Sequence, residues 1–156
     1  MKKISFILNG EKRNAYVEAN DLLVDVLREK VGMHSIKYAC GRGDCGACTI
    51  LLNGKGVRSC IILAIEADGQ EILTLEGLSK DELSPVQESF IKHNSFQCGF
   101  CAPGMILSAT ELLEKNPNPT EEEVKEGISG NLCRCTGYTP IIDAILDVNK
   151  KDVDKK

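Results

Sequence analysis

The chain contains no tryptophan, and its other aromatics are only three tyrosines and four phenylalanines, so a core has to be assembled mostly from Ile, Leu, Val and Ala. Histidine is nearly missing, with His34 and His93 alone. No basic cluster with interleaved aromatics occurs; 19 Lys and Arg are interspersed with 23 Asp and Glu for a net charge of −4, which argues against nucleic-acid binding. No apolar run approaches the ~20 residues of a membrane span, so no membrane insertion is expected. Met1-Lys2-Lys3 is basic, but Ile4 to Leu8 is too short for a signal-peptide core and runs into Asn9-Gly10. The expected location is therefore cytoplasmic. No nucleophile–base pair and no phosphate loop is visible, so no substrate bond chemistry is expected on this chain and no catalytic residue is assigned.

What the chain has is cysteine. Eight fall in two sets of four: Cys40, Cys45, Cys48 and Cys60, then Cys98, Cys101, Cys133 and Cys135. An even count allows disulfides, but a reducing compartment favours metal. The first set reads C-x4-C-x2-C with a distant fourth cysteine, the plant-type spacing for a [2Fe–2S] cluster. Its loop is rich in glycine (Gly41, Gly43, Gly46), which permits positive φ and turns amide N–H groups toward sulfur. A zinc loop is the alternative, although zinc sites favour paired C-x2-C knuckles.

Around this loop the sequence predicts a half-buried strand on Ile4, Phe6 and Leu8, a hairpin at Asn9-Gly10, and a returning strand from Arg13 to Glu18 with Ala15 and Val17 inward. Asp21 is expected to cap a helix carrying Leu22, Leu23, Val26 and Leu27, ended by Gly32. Strands at Thr49 to Leu52, Val57 to Cys60 and Glu71 to Leu75 complete a small β-grasp domain. From about Leu78 the pattern becomes helical. Ser84-Pro85-Val86-Gln87 and Thr120-Glu121-Glu122-Glu123 are capping boxes, and further helices open at Pro103-Gly104-Met105 and Thr139-Pro140. The expected fold is α+β: an N-terminal plant-type ferredoxin-like β-grasp domain over 1–77, then an all-α four-helix [2Fe–2S]-binding domain over 78–156. The charged end from Lys150 to Lys156 is expected to fray.

The second cysteine set gives an approximate internal two-fold, each pair lying ahead of a helix whose positive dipole end favours thiolates. Taken alone, C-x2-C plus C-x-C suits zinc as well as a cluster. Beside a first set that reads as [2Fe–2S], it becomes a second redox centre, and two centres in one small chain imply a wire.

Three stretches resemble the iron–sulfur subunit of the molybdenum hydroxylases, the family of xanthine dehydrogenase, aldehyde oxidoreductase and carbon monoxide dehydrogenase. They are Lys37 to Thr49, Gln97 to Met105 and Ser129 to Tyr138. The resemblance implies an electron-transfer role, from a molybdopterin in a large subunit through two [2Fe–2S] clusters to FAD in a medium subunit of a heterotrimer. It places the cluster on Cys98, Cys101, Cys133 and Cys135 near the pterin, and the one on Cys40, Cys45, Cys48 and Cys60 toward the flavin. It also implies that Gln97 hydrogen-bonds the pterin and that Cys135 lies on the electron's route. Gly41-Arg42 departs from the commoner form of the loop. The chain's shortness suggests subunits that are separate polypeptides.

Several residues stay unpromoted. His34 and His93 read as helix-terminal surface residues, Met105 as core, Glu121 to Glu123 as a solvated first turn, and Arg134 as undecided between the cluster's charge and a partner. The leading expectation is hydroxylation of an N-heterocycle, xanthine first. Nicotinate, an aldehyde, carbon monoxide or a hydroxybenzoyl-CoA thioester are alternatives in the same role. A free-standing ferredoxin-like carrier and a zinc-stabilised interaction module are the rivals of other classes.

Overall fold

The computed structural model describes residues 1–79 and 81–150. Strands β1 (Lys2–Leu8) and β2 (Glu11–Val17) form an antiparallel hairpin in which Ile4 faces Ala15. Asn9 and Gly10 at its tip both take positive φ (52° and 82°), the conformation an Asn-Gly turn supplies at least cost. Strands β3 (Thr49–Leu52) and β4 (Lys55–Arg58) form a second hairpin through Asn53-Gly54, and β5 (Glu71–Leu73) is the last strand. The sheet order is β2-β1-β5-β3-β4, with β1 and β5 parallel and the other pairs antiparallel. Ile4, Phe6 and Leu8 alternate inward, and Ala15, Val17, Ile50 and Ile72 complete the buried face.

The first helix departs from expectation at both ends. Helix α1 (Leu23–Asp25) opens at Leu22, and the Asp21 carboxylate instead takes the Glu18 N–H at 3.1 Å and Lys30 Nζ at 2.7 Å. The Leu23 N–H finds its acceptor across the fold, on the Ile62 carbonyl at 2.8 Å. A tertiary partner thus replaces the local cap. The helix then widens into π-type turns over Val26–Lys30 and ends at Gly32, φ 83°. Leu23, Val24, Val26 and Leu27 are all buried, so Val24 takes the place in the buried face expected of Leu22, which is only partly buried. Two strand ends also differ. The chain turns into a short 3₁₀ helix over Ser59–Ile61, so Cys60 lies beyond β4, and Leu75 opens α2 (Leu75–Leu78) instead of ending β5.

Four longer helices follow: α3 (Pro85–Lys92), α4 (Ala102–Lys115), α5 (Glu121–Gly127) and α6 (Thr139–Asp147). Both capping boxes form. Gln87 N–H donates to Ser84 Oγ at 3.3 Å while Ser84 N–H donates to Gln87 Oε1 at 2.8 Å, and Thr120 and Glu123 reciprocate in the same way. A second core, built on Phe90, Met105, Ala109, Val124, Ile141 and Ile145, is separate from the sheet's. The α+β expectation, a ferredoxin-like sheet ahead of four helices, is met. The expected fraying segment after Lys150, and Lys80 just beyond the expected domain division at 77 and 78, lie outside the described residues. Among the described residues no helix is long and apolar enough to cross a membrane.

Candidate metal centres

All eight cysteines are free thiols. The first set is gathered by the loop that leads into β3, which carries Cys40, Cys45 and Cys48, and by the 3₁₀ turn that holds Cys60. Gly41, Gly43 and Gly46 take φ of 67°, 85° and 72°, so the loop's amides turn inward. The Cys45 N–H points at Cys40 Sγ, 3.5 Å away. Backbone amides, of Arg42 first and then Cys45, draw the Cys40 thiol down to about 6. Burial, reinforced by Cys48, pushes Cys60 up to about 11, with the charges of Cys48 and Cys40 acting in the same direction. Cys48 and Cys60 are buried; Cys40 and Cys45 are half-buried.

The second set joins the turn before α4 to the loop between α5 and α6. Cys98 and Cys135 approach to 3.6 Å between sulfurs, far beyond disulfide length. Burial, then contact with Cys133, pushes Cys101 up to about 12. The Cys133 sulfur lies 3.1 Å from Thr136 Oγ1. Cys101 immediately precedes α4, as expected, whereas Thr136, Gly137 and Tyr138 separate Cys135 from α6. The internal two-fold is therefore approximate, as the sequence suggests.

Each set is thus a group of neighbouring thiols that repel one another as thiolates and receive backbone amides. Such a donor set is stabilised by a multiply charged iron centre and by amides directed at its sulfurs. The residues fit a [2Fe–2S] group at both places. Among the described residues, no three His, Cys, Asp or Glu side chains are drawn closely enough to hold a lone ion.

The other sequence-predicted residues fall as follows. Gln97 is exposed, and its Nε2 donates to the Cys135 carbonyl at 3.1 Å, so the two residues assigned to the pterin side are brought together. Phe96, Phe100 and Leu132 are exposed on neighbouring chain positions. His34 is exposed, while His93 ends α3 and pairs with Asp147 at 3.0 Å. Met105 is fully buried, as expected of core.

Sequence reasoning missed the contact between the two loops. The Leu132 N–H donates to the Cys45 carbonyl at 2.9 Å. Asn131, 2% exposed, donates to the Gly46 carbonyl and to Thr49 Oγ1, each at 3.2 Å, and accepts from Ser108 Oγ at 2.8 Å. Arg58 bonds Thr49 Oγ1 at 3.0 Å and the Gly130 carbonyl at 2.7 Å. Tyr138 is held at φ 72°, and its hydroxyl accepts the Cys133 N–H at 2.9 Å. The signal available was Gly130-Asn131 just ahead of Cys133, a small residue and an amide placed where two loops can close on each other.

Residues 6–76 match the 2Fe-2S iron-sulfur cluster binding domain family, and residues 74–146 match the [2Fe-2S] binding domain family. The chain is 53% identical over 145 residues to the nicotine 6-hydroxylase small subunit of Paenarthrobacter nicotinovorans, covering 93% of this chain and 88% of that one. It is 50% identical over 143 residues to the nicotinate dehydrogenase small FeS subunit of Eubacterium barkeri, covering 91% of each. Among solved structures, quinoline 2-oxidoreductase from Pseudomonas putida 86 superimposes with a TM-score of 0.92 at 50% identity, covering 94% of this chain and 91% of that one.

Proposed function

The chain belongs to the small iron–sulfur subunits of the molybdenum hydroxylases, and on that premise we propose that it relays electrons from a molybdopterin centre in a large subunit toward FAD in a further subunit. Cys40, Cys45, Cys48 and Cys60 hold one [2Fe–2S] cluster, and Cys98, Cys101, Cys133 and Cys135 hold the other. The bound clusters supply one-electron redox chemistry. We divide the chain at residues 77 and 78, one cluster to each part.

The observation that carries this reading is the Leu132 N–H to Cys45 carbonyl bond at 2.9 Å. Cys45 belongs to the first set, and Leu132 is bonded to Cys133 of the second, so one hydrogen bond joins the two ligand loops. The burial pattern supports the direction. Cys98 and Cys135 are exposed beside Gln97, Phe96, Phe100 and Leu132, an edge suited to the molybdopterin subunit. Gln97 anchors the Cys135 backbone and presents its amide at that edge, where a pterin offers both donors and acceptors. Tyr38, Ile61 and Leu63 are exposed around the first set, an edge suited to the flavin subunit.

The substrate of the complex is an N-heterocycle. Nicotine, nicotinate and quinoline, named for the relatives above, share a pyridine-type ring, which puts such rings ahead of xanthine. The test is anaerobic purification of the native complex through a tag on this chain, with iron, molybdenum and flavin quantified and substrates screened by bleaching of the clusters. Two larger co-purifying chains with molybdenum and flavin, and bleaching by pyridine-type compounds, are expected. A lone red chain with iron and no molybdenum would establish a free-standing carrier, and bleaching by xanthine alone would restore the purine reading. A colourless chain containing zinc would overturn both cluster assignments.

A further inference from the structure

We propose that Arg58 is a positive charge shared by the two cluster sites, and that it holds the reduction potentials of both clusters up. This rests on the reading that each cysteine set carries a [2Fe–2S] cluster. Arg58 lies at the end of β4, two residues before Cys60. Its Nη1 bonds Thr49 Oγ1, which follows Cys48, and its Nη2 bonds the carbonyl of Gly130, three residues before Cys133. The guanidinium is half-buried and reaches from the ligand loop of one site to that of the other. Among the described residues no carboxylate forms an ion pair with it. The carboxylate packed against β4 is Glu111, which accepts the Gly56 N–H at 2.9 Å and Lys115 Nζ at 2.5 Å.

The physical consequence has a definite sign. Reduction adds one negative charge to a [2Fe–2S] cluster, and a fixed cation in a partly desolvated position favours the reduced form. An Arg whose bonding partners among the described residues are neutral oxygens keeps its full charge for the clusters. Because it is tied to both loops, both clusters respond together. Gly130 is part of the arrangement, since a Cβ there would collide with Nη2 of the guanidinium.

The test is potentiometric titration of the cluster-loaded chain in its native complex, followed by electron paramagnetic resonance. Two reduced [2Fe–2S] signals in the unmodified protein test the cluster reading; their absence would remove that reading, whatever Arg58 does. With both present, Arg58→Gln is expected to shift both reduction equilibria about tenfold toward the oxidised form, ~59 mV for a one-electron couple. Arg58→Lys, which keeps the charge, is expected to stay near the unmodified protein. Gly130→Ala, which displaces the guanidinium without altering its charge, moves both potentials the same way by less, and serves if Arg58→Gln fails to fold. Unmoved potentials in Arg58→Gln or Gly130→Ala, a shift confined to one cluster, or an equal shift in Arg58→Lys would overturn the proposal.

Discussion

Asn131 donates from its side-chain amide to the carbonyl oxygen of Gly46, 3.2 Å away and 85 positions earlier in the chain. The bond joins two loops that each carry cysteines, and it is sealed from water. The same side chain also engages Thr49 and Ser108, so its amide group is fully employed on buried partners. A buried polar group that loses its partner costs far more than the hydrogen bond yields net, which makes this residue a sensitive point of the fold.

Asn131→Ala should therefore destabilise the chain by about 2–3 kcal/mol, because it strips partners from Gly46, Thr49 and Ser108 together. Urea denaturation checks the magnitude. The magnetic interaction between the two reduced clusters should weaken as the loops separate, and an unchanged interaction would show that Leu132 and Arg58 suffice to hold them.

Gly46→Ala should be worse than alanine at a hairpin glycine. A Cβ at Gly46 would collide with the Gly130 carbonyl and come within 2.7 Å of Asn131 Nδ2, besides the strain of φ +72°. Gly54 has positive φ too, but nothing within 4 Å of an added Cβ. Gly54→Ala is expected to cost only the backbone term, about 1–2 kcal/mol. Gly104→Ala isolates the packing term: the residue is helical, and its Cβ would strike the Gly46 carbonyl. Melting temperatures of the three variants should fall in the order Gly54→Ala, Gly104→Ala, Gly46→Ala, the last lowest.

Replacing Cys48 by serine should remove the first cluster and leave the second, and replacing Cys135 by serine the reverse. Each variant then retains about half the iron of the unmodified chain. Gln97→Ala should keep all the iron and both spectra but slow turnover of the complex. Iron analysis with visible and paramagnetic resonance spectra separates these outcomes; equal iron loss in Gln97→Ala would make that residue a support for Cys135 alone.

Asp147 fastens α6 to the end of α3, accepting from Lys92 Nζ at 2.6 Å and pairing with His93 Nε2 at 3.0 Å. Lys92, then His93, holds its carboxyl down to about 2. A folded value below the unfolded one of about 3.9 gives stability that is complete above about pH 4 and lost as pH falls toward 2. Asp147→Asn should thus lower the urea midpoint at pH 5, with the gap closing below pH 4. Comparing the two chains at each pH cancels any acid loss of iron common to both. A gap already closing at pH 5 would contradict the assignment.

Much of this molecule was decided locally. The two Asn-Gly turns, both capping boxes, the alternation of Ile4, Phe6 and Leu8, and the two sets of four cysteines follow from residue type and spacing within a few positions. The chemistry they demand is the same in any surroundings. Other features depended on partners far away in sequence. Asp21 lost its expected capping role because the Leu23 N–H found the Ile62 carbonyl. The roles of Arg58 and Asn131 exist only because two loops meet; Gly46 and Gly104 are small because the carbonyls of Gly130 and Gly46 press on them, and Gly130 because the Arg58 guanidinium does. A pattern read along the chain can say that a thiol will seek iron. It cannot say which carbonyl lies across the gap, because close packing of distant segments sets that distance.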